Sequence, residues 1–179
     1  MSIQNVARSG PVTEAIQAKL AGLLWGDAAP GVPAFDLVEV YDQPDLMEAL
    51  KERLLLKNRV CLVIPDRTRI SNELKGTQLH GELIRDFLLI VLDKNAGDRQ
   101  SANSGGDRNP GSWLLRDLVI ESMHGALCGT EGVYCTLDEA EPIRFRDKAR
   151  TELSGRGAEM VLLSAHCGTL SDTLPPYIR

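Results

Sequence analysis

Aromatic residues are scarce in this chain: three Phe, three Tyr and two Trp make up 4% of its 179 residues. Grooves for single-stranded nucleic acid are built on aromatic stacking platforms, so that class has little to stand on. Positive charge is not in excess either. Twenty Lys and Arg face 25 Asp and Glu, a formal net charge of −5, where a dedicated nucleic-acid binder carries a basic patch. Long hydrophobic runs are also missing. The longest, VCLVI and FLLIVL, fall far short of the roughly 20 apolar residues that cross a bilayer. The opening stretch MSIQNVARSGPVTEAIQ has no apolar core of a secretory signal. Four cysteines are scattered without the spacing of a disulfide framework. A soluble chain made in a reducing cytosol, with no membrane contact, is the expectation.

Ordinary globular content fills the rest: 43% hydrophobic and 25% charged residues over a length that suits one domain. Val12, Ile16, Leu20, Leu23 and Leu24 recur at helical spacing and predict a helix over residues 12–25. FDLVEVY reads as a short strand. Asp42 as cap and Pro44 in the first turn open a predicted helix over 44–56. VCLVI, residues 60–64, is β-branched and short, a strand buried on both faces and ended by Pro65. ISNEL and a long run over 82–93 are further strands, joined through Gly76 to Gly81. Ser112 is placed to cap a helix carrying Leu115, Leu118, Val119, Ser122, Met123, Ala126 and Leu127 on one face, with Gly129 beyond its end. VYCTL, PIRFRD and AEMVLLSAHC complete the strands, PIRFRD exposing Arg144 and Arg146. Strands that cluster in adjacent pairs imply an α+β fold with helices packed on a mostly antiparallel sheet. The expected organisation is a single domain over residues 1–170 with a long loop at 95–111, then a C-terminal arm over 171–179.

The loop DKNAGDRQSANSGGDRNPGSW sits where phosphate cradles occur, between a strand and a helix. It lacks the G-x-x-x-x-G-K-[ST] pattern whose lysine and hydroxyl complete a Walker site. Its glycines, Gly97, Gly105, Gly106 and Gly111, are also too dispersed for a dinucleotide turn. A polar loop that orders on a partner is the expectation. His124, Cys128, Cys135, His166 and Cys167 form no C-x-x-C knuckle, and a strand would point His166 and Cys167 to opposite faces, so zinc is not expected. No serine elbow or protease cysteine signature is present. Asp138, Glu139 and Glu141 read as a solvated acidic run. No catalytic residue, cofactor or metal follows from these patterns.

The order of segments resembles the phage tail-terminator-like family of small tail-completion proteins from contractile-tailed phages and prophages. The similarity runs over residues 13–167. It comprises an amphipathic first helix, PDLMEALKERLLL leading into VCLVIP, the strand IRDFLLIVLD, a variable loop, the helix GSWLLRDLVIESMHGALCG and closing strands ending in AEMVLLSAHC. The resemblance implies a non-enzymatic virion protein assembled as a hexameric ring at the head-proximal end of the tail tube. Its partners would be itself, the tube and sheath subunits, and the neck or connector. A neck or baseplate adaptor of the same machine is the alternative role, and a small cytosolic hydrolase or nucleotide-binding enzyme stands behind it. Arg67, Arg69, Arg99, Arg108, Arg144 and Arg146 are the expected contact residues, with 95–111 and 174–179 as segments that order on assembly.

Overall fold

The computed structural model describes residues 9–25, 31–41, 53, 57–75, 78–94, 105, 110–128, 133–142 and 157–173. Among these, two helices pack on a five-stranded mixed sheet, an α+β arrangement as the strand clustering implies. In chain order the elements are α1 (Ser9–Ala21), β1 (Leu37–Val40), β2 (Arg59–Lys75), β3 (Gln78–Asp93), α2 (Gly111–Met123), β4 (Tyr134–Pro142) and β5 (Gly157–Thr173). The strands lie in the order β1-β2-β3-β5-β4. β1 runs parallel to β2, and every other neighbouring pair is antiparallel.

Both helices cover one face. Val12, Ile16 and Leu20, one turn apart on α1, and Leu115, Val119 and Met123 on α2 are fully buried. They meet Cys61, Val63, Phe87, Leu89, Val91, Val161, Leu163 and Ala165, the alternate residues that a pleated sheet turns to one side. The opposite face carries a second buried cluster of Val60, Leu62, Ile90, Leu92 and Ala158. The central strands are therefore apolar on both sides, which is why their sequences run continuously hydrophobic.

β2 does not end at Pro65. It runs on to Lys75, 17 residues in all, because a bulge accommodates the proline: Pro65 faces Phe87, Arg67 faces Asp86, and Asp66 is the extra residue. The missing N–H also does no harm there, since β1 pairs with residues 60–63 and, among the described residues, no strand pairs with that side of Pro65. ISNEL is thus the far end of β2, and the hairpin to β3 is tighter than a connection spanning Gly76 to Gly81. β5 likewise runs past Cys167 to Thr173, into the segment whose weak periodicity suggested an arm.

Helix α2 starts differently from the expectation that Ser112 caps it. Pro110 holds the cap position, Gly111 takes a positive φ of 75° that favours glycine, and the Gly111 amide donates to Asp93 Oδ2 at 3.0 Å. Ser112 instead donates to Glu159 Oε1 at 3.4 Å, beside the Arg116 bond to Glu159 Oε2 at 3.3 Å. The helix ends at Met123, so Ala126 and Leu127 lie beyond it, Ala126 buried and Leu127 exposed. Of the expected helix 44–56, Arg53 alone is among the described residues; it forks onto Glu39 of β1 at 2.7 and 2.9 Å. Of the expected strand PIRFRD, Pro142 alone is among them, as the last residue of β4.

Candidate functional site

The face away from the helices changes character along the strands. Beyond its apolar half, β2, β3, β5 and β4 present Arg67, Arg69, Asp86, Ser164, Asp138, Thr136, His166, Glu82 and Tyr134. Sheet irregularities put them there. Before the Asp66 bulge even-numbered residues of β2 face this side; after it Arg67 and Arg69 do, opposite Asp86 and Ile84. On β4, Asp138 is the extra residue of a bulge between Leu137 and Glu139. On β5 a third shift, between the Ile84–His166 and Glu82–Thr169 pairs, contains Gly168 at φ 118°, a backbone setting that favours glycine. Three bulges in three strands therefore converge on one polar strip, and bulges are devices that re-aim side chains.

Asp86 is the centre of the strip. Its side chain is fully buried, and it accepts from Arg67 Nε at 2.8 Å, Arg69 Nε at 3.0 Å and Ser164 Oγ at 2.7 Å. Burial pushes its carboxyl up, but the bonds from Arg67, Ser164 and Arg69 together outweigh burial and hold it below the usual range. Ser164 Oγ also stands 2.6 Å from Asp138 Oδ2, and Arg69 Nη2 lies 3.2 Å from Ser164 Oγ. A hydroxyl carries one proton, so Ser164 donates to one carboxylate at a time. The two arginines keep 64% and 44% of their side-chain surface in water, so each is anchored on its inner side and open on its outer.

One step along the strip, His166 Nδ1 lies 2.8 Å from Glu82 Oε1 and His166 Nε2 lies 3.0 Å from Thr136 Oγ1. Tyr134 stacks on the imidazole, ring centroids 4.4 Å apart and planes 3° apart. A neutral imidazole with its proton on Nδ1 satisfies both neighbours. Hydroxyl, imidazole and carboxylate in series have the order of an acyl-transfer relay. Such a relay also needs donors converging on the developing oxyanion. The amides flanking Thr136 are committed elsewhere: Cys135 N–H donates to the Ala126 carbonyl at 2.9 Å and Leu137 N–H to His124 Nδ1 at 3.4 Å. The group is best described as a cross-strand lock joining β3, β4 and β5. On the helix side, a cavity of about 590 Å³ lies between the start of α1 and the Asp66 bulge, lined by Thr13, Glu14, Pro65, Arg85 and Phe87 among others. Its acids and bases are mixed, and its lining selects no class of ligand.

Beyond Arg69, Ile84 and His166 the sheet narrows. β1 and β4 have ended, and β2, β3 and β5 run on as a three-stranded blade to the Lys75–Gln78 and Gln78–Thr173 pairs. Six further residues of β2 make it about 20 Å long. Among the described residues the outer edges of β2 and β5 have no strand partner along this blade.

Of the six arginines expected at contacts, Arg67 and Arg69 fall in the strip. Arg99, Arg108, Arg144 and Arg146 lie outside the described residues, as do segment 174–179 and nearly all of 95–111. Asp86, Ser164, Thr136, His166 and Glu82 were not singled out together by sequence reasoning. The legible signal was Asp86, an acid inside the apolar strand IRDFLLIVLD. Among the described residues no group of three His, Cys, Asp or Glu is placed to hold a metal. His166 and Cys167 do face opposite sides, as strand alternation requires, and Cys167 is buried.

No protein-family model matches the sequence, and no curated protein matches it. Among solved structures the chain is similar to a chain of the "Virion of native gene transfer agent (GTA) particle", with 16% sequence identity and a TM-score of 0.49, covering 90% of this chain and 97% of that one. A likeness this remote carries no function to the present chain.

Proposed function

We propose that this chain is a structural protein of a phage tail or tail-like particle, a tail terminator that forms a closed ring at the head-proximal end of the tube and offers a docking surface to the neck. The segment order that resembles tail-completion proteins motivates the reading, and the blade is the observation that carries it. A bare sheet edge is a row of amide donors and carbonyl acceptors ready to pair with another chain. Here the two edges are different surfaces, β2 on one side and β5 on the other, so copies meet head to tail and the contact closes into a ring where the rotation allows. β2 and β5 are both antiparallel to β3 and so point the same way. Edge pairing between rotated copies would then be parallel. The outer sides of Arg67 and Arg69, with Arg99, Arg108, Arg144 and Arg146, are the proposed electrostatic contacts to ring neighbours, tube, sheath or neck.

Light scattering across a dilution series, negative-stain imaging and co-sedimentation with purified tail tubes test this reading. The expected result is a closed ring of about six subunits, free or on tube ends. A strict monomer that leaves tube ends bare would overturn it, and binding away from tube ends would assign an adaptor role instead. Charge reversal at Arg144 and Arg146 that changed neither ring nor tube binding would remove those two residues from the contact.

A further inference from the structure

The proposed assembly makes no use of the cysteines, yet two of them are brought together at the end of α2. After Met123 the chain passes His124 and Gly125, whose φ of 72° favours glycine, and turns back along β4. Cys128 N–H donates to the Val133 carbonyl at 3.0 Å, Cys135 N–H to the Ala126 carbonyl at 2.9 Å, and Leu127 bridges Tyr134. Alternation in this short ribbon turns Leu127 and Tyr134 outward and Ala126, Cys128, Val133 and Cys135 inward. Cys128 and Cys135 are therefore diagonal neighbours on one face, their Sγ atoms 2.7 Å apart. That is within an ångström of the bonded separation of about 2.0 Å.

We propose that Cys128 and Cys135 are an oxidisable dithiol that closes into an intrachain disulfide on reaction with a low-molecular-weight disulfide such as oxidised glutathione. The Cys128 thiolate attacks one sulfur of the oxidant, forming a mixed disulfide and expelling one glutathione thiolate. Cys135, having released its proton to solvent, attacks the Cys128 sulfur and expels the second. Two protein thiols lose two electrons and two protons, and one glutathione disulfide becomes two thiols. Cys128 is suited to the first attack. The Cys135 hydrogen bond, helped by Lys19 and opposed by burial, holds its thiol below the ordinary value. Cys135 is pushed up by the same bond and by burial, so of the two thiols it is Cys128 that makes the first attack. Both sulfurs are buried, so reaction requires the ribbon to open, and the edge position of β4 makes that cheaper than global unfolding. The bond would tie the end of α2 to the edge of the sheet.

The full reduced chain, equilibrated in glutathione buffers of rising oxidation, acid-quenched and alkylated, provides the test. Cleavage after Glu131 separates the two cysteines, so their peptides stay joined only through a disulfide. The expected outcome is a Cys128–Cys135 linked pair that dithiothreitol releases, with Cys61 and Cys167 alkylated throughout. Cys135→Ser should instead retain glutathione on Cys128. Four alkylated cysteines in the most oxidising buffer would overturn the proposal, and so would a link from Cys128 to Cys167 in its place.

Discussion

At the scale of single residues, Asp93 and Asp86 show how context sets the behaviour of one side-chain type. Asp86 has three donors around it and is held below the ordinary range, so its contribution is present above the unfolded value and lost as pH falls through the folded one. Asp93 is just as buried, but burial dominates the Gly111 bond and pushes its carboxyl up from 3.8 to about 6. The sign is then reversed. The folded protein holds the Asp93 proton more tightly than the unfolded chain, so stability from this group is full below about pH 4 and lost as pH rises through about 6. The gap corresponds to about 3 kcal/mol of burial penalty at neutral pH. Asn at this position cannot ionise yet keeps an acceptor for the Gly111 amide. Asp93→Asn is expected to match the parent in urea unfolding at pH 4 and to exceed its stability by about 1–3 kcal/mol at pH 7.5. A difference that stays constant between the two pH values would show that Asp93 is not the titrating group.

At the scale of elements, the bulges govern which residues share a face, and they were the least legible part of the sequence. Both described helices, the β2, β3 and β5 cores and the α+β order could be read from periodicity, because Val12, Ile16 and Leu20 or Leu115 and Val119 repeat at the spacing that burial demands. Proline at 65 suggested a strand end, since a ladder donor is lost; only the observed pairing reveals that Asp66 is looped out and the strand resumes. The strip was hidden for the same reason. Arg67, Asp86, Ser164 and Asp138 lie on four strands far apart in sequence, and no local pattern encodes a cross-strand register. The α2 start was misread because its acceptor, Asp93, comes from the preceding strand and not from Ser112. Gly168 offers a direct check on the bulges. At φ 118° a side chain is strained, so Gly168→Ala should destabilise the chain by about 1–3 kcal/mol. The Glu82–His166 contact beside it should loosen, seen as a shift of the His166 ring resonances. Unchanged stability would mean that β5 takes an extended path there without glycine.

At the scale of the whole molecule, the distribution of stabilising contacts separates a two-layer body from the blade. The body has apolar clusters on both sides of β2 and β3, whereas residues 65–71 of β2, which lead into the blade, are exposed. Ile70, with 51% of its surface in water, is the large apolar side chain at its base. Substituting an exposed residue away from caps and buried networks usually changes monomer stability by less than about 0.5 kcal/mol, while a lysine brought into a subunit contact must be desolvated, and lysine on a strand edge discourages pairing. Ile70→Lys should therefore leave the thermal midpoint of the dilute chain nearly unchanged and shift assembly to at least tenfold higher concentration. Both quantities come from the same samples, by calorimetry and light scattering. Loss of the thermal midpoint along with assembly would mean that Ile70 supports the fold itself, and unchanged assembly would remove the base of the blade from the subunit contact.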